Sequence, residues 1–136
     1  MLGLHLIVEL YACRCRPRLL DDANALRELC LGVCKRPGLT PVGQVFHQFG
    51  SAAAPAGATG VVVLAESHLA VHTWPEARAV TLDLYVCNFS QDNSLAARQA
   101  CSDLIAAFLP TQVVRREVER GAPCAVGDLA ADSASD

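Results

Sequence analysis

The sequence predicts an α+β fold in which one antiparallel sheet carries two helices on one face. Three observations lead there. Leu2 to Leu10 and Ala79 to Cys87 alternate apolar and polar positions, the period of a half-buried strand. Leu26, Leu29, Cys30 and Val33, and later Ala97, Cys101, Leu104, Ile105 and Phe108, follow helical spacing. The order β-α-β-β-β-β-α-β then sends both helices to the same side and leaves the other sheet face to be covered. A second copy of the chain is the expected cover, giving a homodimer with an α/β/β/α sandwich.

Strand one sets Leu2, Leu4, Leu6, Val8 and Leu10 against Gly3, His5, Ile7 and Glu9. Asp21 or Asp22 caps the first helix, and Pro37-Gly38 stops it. Cys30 and Cys34 fall one turn apart within it. Two ligands are too few for a structural metal, so both are expected in the core. Val42 to Phe49 reads as strand two, and Gly50 to Gly60 as a flexible connection that could cover a site. Val61 to Ala65 is an apolar strand, Leu69 to Thr73 resumes extended chain, and Ala79 to Cys87 follows. Asp92, Asn93 or Ser94 caps the second helix, which Pro110 ends, and Cys101 packs inside it. Gln112 to Glu119 is a charged edge strand. Residues 1–120 are expected to form one domain, and residues 121–136 a disordered acidic tail.

A chain of 136 residues suits a single domain, which buries roughly two thirds of the surface its unfolded form exposes. With 52% hydrophobic and only 18% charged residues, wholesale disorder is excluded and apolar surface is left over for self-association. A net charge of -3, with the basic residues scattered, gives no footprint for nucleic acid. The seven cysteines are odd in number and form no Cys-x-x-Cys pair, which points to reduced thiols in a cytoplasmic protein. Met1 to Cys13 is apolar, but no positive charge precedes it and His5 and Glu9 interrupt it, unlike a signal peptide. No stretch reaches the ~18 apolar residues a membrane span needs. A soluble protein without nucleic-acid or membrane partners is expected.

The chemistry concentrates in Ala65 to Glu76, A-E-S-H-L-A-V-H-T-W-P-E, directly after the apolar run Val61 to Leu64. A serine at the mouth of a buried strand can attack the carbonyl that precedes it, so the Glu66-Ser67 bond is a candidate for self-cleavage. Ser67 offers a hydroxyl nucleophile, His72 an imidazole that titrates near neutrality, and Cys87 a thiol able to give or take a proton. Cys87 shares its strand side with Asp83 and Tyr85, the polar side. Two rival readings are weaker. A Ser/His/Asp hydrolase lacks Gly-x-Ser-x-Gly. A metal site from His68 and His72 lacks a carboxylate or thiol cluster at a defined spacing, so no metal is expected.

Glu66 to Glu76 resembles the hallmark of the prokaryotic-type S-adenosylmethionine decarboxylases, pyruvoyl-dependent lyases of polyamine and spermidine synthesis. The resemblance covers roughly residues 3 to 118, including Gly3-x-His5, Leu20-Asp21-Asp22 and Phe46-His47-x-Phe49. It implies a zymogen cut between Glu66 and Ser67, with Ser67 converted into the pyruvoyl group, a ketone that binds substrate as a Schiff base. It implies that His72 assists processing by drawing off the serine α-proton, that Thr59 supports the acyl shift, and that Cys87 protonates the decarboxylated carbon. It further implies that Phe49 and Trp74 sandwich adenine and that Glu76 binds ribose. Ala70, Glu9 and the long Gly50 to Thr59 segment depart from the family's usual residues. Those departures spare the processing residues but leave open a pyruvoyl-dependent arginine or ornithine decarboxylase. An unprocessed dimeric binding protein is a separate alternative, against which the intact Ser67, His72 and Cys87 argue.

Geometry adds one demand. In a regular strand Ser67 and His72 point to opposite faces, because five steps is an odd number. A bend near residues 67–68 is therefore required, and strained backbone there would also favour cleavage.

Overall fold

In the computed structural model, which describes residues 2–121, the first strand β1 (Gly3–Tyr11) sorts its side chains as the alternation predicts. Leu4, Leu6, Val8 and Leu10 are buried, while His5, Ile7 and Glu9 are only partly covered on the opposite side. The same rule divides β5 (Ala79–Cys87), whose Val80, Leu82, Leu84 and Val86 face the core. Between them in sequence come α1 (Pro17–Asp21), α2 (Ala23–Lys35), β2 (Pro41–Gly50), β3 (Pro55–Leu64), β4 (Ser67–Trp74) and a 3-10 turn at Pro75–Ala77. After β5 follow α3 (Ser94–Phe108) and β6 (Gln112–Arg120). The strands form one antiparallel sheet in the order β2-β3-β4-β5-β1-β6, with the charged β6 at one edge as expected.

Both long helices lie on the same face. Leu26, Cys30, Val33 and Cys34 of α2 and Ala97, Cys101, Leu104 and Phe108 of α3 are buried against the sheet with Leu6, Val62, Val71 and Leu84. Burial pushes the Cys34 thiol up to about 11 and Cys30 higher still, as core packing requires. Asp22, one of the two residues the sequence offered, caps α2: its carboxylate accepts from the Asn24 and Ala25 amides. Those bonds hold its acid strength above the ordinary carboxylate value. Asn93 holds the N-cap position of α3, but the carboxylate of Asp92 takes the Ser94 amide.

Three features differ from the sequence expectation. A five-residue α1 precedes α2, started by Pro17 and anchored by buried Leu20; a single turn is too short for periodicity to register. The connection after β2 shrinks to residues 51–54, because β3 already begins at Pro55. The small residues read as flexibility are there for close approach. The Phe46 ring covers Gly60 so tightly that a Cβ would lie 2.1 Å from it. Gly57 adopts φ +114° with the Pro75 ring 3.0 Å from where a Cβ would be.

The third difference is the missing bend. Register runs without interruption from Leu64↔Ser67 to Thr59↔His72, and none of residues 65–68 has a left-handed φ. Ala65 and Glu66 instead form a tight two-residue turn that satisfies the chain reversal without strain. The acidic tail expected over residues 121–136 lies, beyond Gly121, outside the described residues. Among the described residues, no helix is long and apolar enough to cross a membrane.

Candidate active site

The residues singled out in the sequence fall into two groups at opposite ends of β4. The first surrounds the Glu66-Ser67 bond. Glu66 is exposed at the tip of the β3-β4 turn, and its carboxylate accepts a short hydrogen bond from the Ser90 hydroxyl. Ser67 begins β4 with its Oγ accepting from the Cys87 amide at 3.0 Å. Cys87 ends β5, buried at 7% exposure, on the same strand side as Asp83 and Tyr85. Its carbonyl accepts from the Asn93 side chain at 3.1 Å, and the Asn93 amide in turn donates to the Asn88 side chain at 2.8 Å. The loop before α3 thus fixes the end of β5, and through it the serine oxygen. The cleft here holds only about 90 Å³.

The second group lies at the far end. The Thr59 hydroxyl and His72 Nδ1 are 3.1 Å apart, as their direct pairing across β3 and β4 dictates. The His72 and Trp74 rings are 6.0 Å apart, and the His47 and Phe49 rings meet edge to face at 4.8 Å. Phe49, Thr59, His72, Trp74 and Glu76 together line a pocket of about 340 Å³, at the lower end of the ~300–1,000 Å³ that small-molecule sites occupy. Phe49 and Trp74 remain 46% and 41% exposed, so their faces are available to a planar ligand. Of the two cavities, only this one has room for a substrate of nucleoside size.

Two residues the sequence left without a role set this geometry. Thr73, buried between His72 and Trp74, points to the helix face, where its Oγ1 donates to the Leu20 carbonyl at 2.7 Å and accepts from the Ala58 amide at 2.9 Å. Pinning Thr73 inward turns His72 and Trp74 outward. Gln48 does the same beside Phe49: its amide bonds Ala23 N, Asp21 O and Gly57 O, tying β2 and β3 to the start of α2. A polar residue at a helix-facing strand position was the available signal for both.

Ser67 and His72 are not brought together. Five residues at about 3.3 Å each separate them by roughly 16 Å, and their side chains take opposite faces of β4. His68 and His72, weighed as a metal pair, also have different partners. His72 bonds Thr59, whereas His68 Nε2 lies 3.4 Å from Asp83 Oδ2, the oxygen that His5 Nε2 approaches at 2.9 Å. The sequence offered no role for His5, named only within Gly3-x-His5, or for Asp83, named only as sharing a strand side with Cys87; they come from β1 and β5 and meet only through sheet register.

The family model for S-adenosylmethionine decarboxylase matches residues 4–121. An S-adenosylmethionine decarboxylase proenzyme from Hydrogenobaculum sp. is 40% identical over 120 residues, covering 88% of this chain and 82% of the relative. One from Pyrococcus horikoshii is 36% identical over 118 residues, covering 87% and 81%. The crystal structure of the adenosylmethionine decarboxylase from Aquifex aeolicus superposes with a TM-score of 0.77 at 35% identity, covering 89% of this chain and 92% of that one. With this match extending through both ends of β4, the chain belongs to the S-adenosylmethionine decarboxylase family.

Proposed function

We propose that this protein is a proenzyme that cuts itself between Glu66 and Ser67 and then decarboxylates S-adenosylmethionine, supplying the aminopropyl donor for polyamine synthesis. One observation carries the reading. The sequence run Glu66 to Glu76 places Ser67 at an exposed turn, with its oxygen fixed by the Cys87 amide, and ends in an aromatic pocket that can hold a nucleoside.

Ser67 Oγ attacks the Glu66 carbonyl, converting the amide into an ester and freeing the serine nitrogen. Removal of the Ser67 α-proton expels the Glu66 carboxylate and leaves a dehydroalanine. Its hydrolysis releases ammonia and leaves a ketone at the amino terminus of chain 67–136. The Cys87 amide holds Oγ beforehand beside the carbonyl it attacks. That oxygen leaves with Glu66, and the ketone oxygen takes the place of the Ser67 nitrogen. What fits a pyruvoyl group here is therefore a serine at the start of a strand whose hydroxyl is held next to the bond to be cut. The pyruvoyl group supplies an electron sink when carbon dioxide leaves. Cys87, on the neighbouring strand end and shielded from water, delivers the proton that follows. Phe49 and Trp74 clasp the adenine, with attraction to the sulfonium worth on the order of 1 kcal/mol, and Glu76 accepts from the ribose hydroxyls.

The roughly 16 Å between Ser67 and His72 gives the dimer a catalytic purpose. The sheet face opposite the helices exposes Val45, Phe49, Val63, Trp74 and Val118, an apolar surface suited to a second copy of the chain. A two-fold axis running across the strands sets the Ser67 end of one β4 opposite the Trp74 end of the other. His72 and the aromatic pocket then serve the serine of the partner subunit, and residues 2–121 act as one half of a paired cytoplasmic enzyme.

Denaturing mass measurement of purified protein tests the cut. Fragments 1–66 and 67–136, the second blocked at its amino terminus, are expected, and Ser67→Ala should give only the uncut 14.4 kDa chain. Active protein that remains uncut overturns the reading. Product analysis with S-adenosylmethionine, arginine and ornithine then checks the substrate, with turnover expected for the first alone.

A further inference from the structure

The cut removes two of the restraints on residue 67 at once. Before it, the chain is tied through the Ala65-Glu66 turn, and the serine hydroxyl accepts from the Cys87 amide. Cleavage ends the covalent tie, and elimination consumes the hydroxyl. The first side chain left to hold the new terminus is His68, one residue from the reacting carbon. Strand ends without such a restraint fray at almost no free-energy cost.

His68 is held on the open face by a cluster drawn from three strands. Its Nε2 lies 3.4 Å from Asp83 Oδ2, and the same oxygen is 2.9 Å from His5 Nε2. Tyr85 stands directly opposite both histidines in the register, with ring separations of 5.7 Å to His68 and 5.9 Å to His5. The tyrosine ring lies over Gly3 of β1, where a Cβ would be 2.8 Å from its Cε2, and the Arg120 guanidinium of β6, beyond β1, sits 4.4 Å from its ring centre. Tyr85 therefore spaces the two imidazoles, and Asp83, two residues along β5, collects both by diagonal contacts. With side-chain exposures of 21% for His5, 32% for Asp83 and 41% for His68, none of the three is inside the core. Their position serves the strand end and not the packing.

We infer that His5, Asp83 and His68 form a clamp that holds the newly made amino terminus on the sheet after cleavage, keeping residue 67 within reach of Cys87. The inference rests on the proposed cut at Glu66-Ser67. His68 and Asp83 are positioning residues in this clamp: they act on residue 67 through β4. While the turn is intact the clamp is redundant, and its effect appears only once the chain is open.

Hydrogen exchange of the amides of residues 68–71, measured in four proteins, tests this. The four are mature wild type, mature Asp83→Asn, uncut Ser67→Ala, and uncut Ser67→Ala with Asp83→Asn. In the cut pair Asp83→Asn should speed exchange by about fivefold, the equivalent of one modest ion pair. In the uncut pair the change should stay under about twofold, because the turn still holds the strand. Equal acceleration in both pairs would mark a purely structural contact and overturn the clamp, as would no acceleration in the cut pair. An Asp83→Asn chain that no longer cleaves would assign the cluster to the cut itself and overturn the clamp as well. His68→Asn, which leaves His5 and Asp83 bonded, repeats the comparison if Asp83→Asn folds poorly. Mass measurement of the wild type separates the two claims. An uncut, active wild type sinks the proposed function and the clamp with it, whereas a cut wild type indifferent to both variants sinks the clamp alone.

Discussion

The two ends of β4 are fastened by different means. At the Trp74 end the fastening is internal: Thr73 is buried and bonded to Leu20 and Ala58, and Thr59 meets His72 across the ladder. At the Ser67 end it comes from the end of β5, through the Cys87 amide, and from the loop after it, through the Ser90 hydroxyl, at a turn open to water. A single strand is thus firmly fastened at the end where the proposed substrate pocket lies and more loosely tied at the end where the proposed cut falls. In the proposed reaction neither end is complete alone, because the histidine proposed to assist processing sits with the firmly fastened end, roughly 16 Å from the serine.

The most drastic way to break that comparison is to separate the two ends onto different chains. Ser67→Ala and His72→Ala should each fail to yield the blocked 67–136 fragment. Co-expressed at equal levels, they form mixed dimers in which one site has an intact serine on one chain and an intact histidine on the other. About half of the His72→Ala chains should then mature, the share that random pairing places beside a Ser67→Ala partner. Mass measurement of the mixture reads this directly. Mixed dimers that form but yield no mature fragment would return His72 to its own chain and demand the bend that β4 lacks.

A smaller effect should come from loosening the Trp74 end. Thr73→Val keeps the side-chain shape but strands the Leu20 carbonyl and the Ala58 amide in the core. The expected loss is about 2 kcal/mol, a fall of roughly 5–10 °C in Tm. Self-cleavage at 25 °C should proceed, because valine still fills the inward position and leaves His72 turned outward. Thermal denaturation and mass measurement on the same sample check both halves, and a variant of normal Tm would show that the Trp74 end is fastened elsewhere.

How much of this was legible depends on the kind of signal. Alternation in β1 and β5 announced strands, and the buried positions of α2 and α3 followed their helical spacing, because burial on one face imposes a period. The residues of both ends of β4 were also named from the sequence, since their order in the chain carries the family resemblance. Their separation was not legible. Parity along β4 warned that Ser67 and His72 face apart, but the bend it suggested is absent, and only the register shows that. Gly57 and Gly60 misled for a physical reason: small residues suit both flexible loops and close ring packing, and only the position of Phe46 tells which. His5 and Asp83, 78 residues apart, meet through the β1-β5 register that no local pattern encodes.

The smallest effect should come from the exposed end. Glu66 enters the chemistry through its backbone carbonyl, which Ser67 attacks, and every residue has one. Its side chain reaches only the Ser90 hydroxyl on the surface. In Glu66→Gln a neutral amide oxygen still accepts that bond, so turn geometry is kept while the charge is removed. The cleavage rate should change by about twofold or less, the range of an exposed substitution of under ~0.5 kcal/mol, and Tm should hold. Cleavage followed by denaturing mass at timed intervals gives the answer. A stop in cleavage with an unchanged Tm would mean that the carboxylate itself takes part in the cut, and the exposed end of β4 would then carry its own chemistry before any partner subunit arrives.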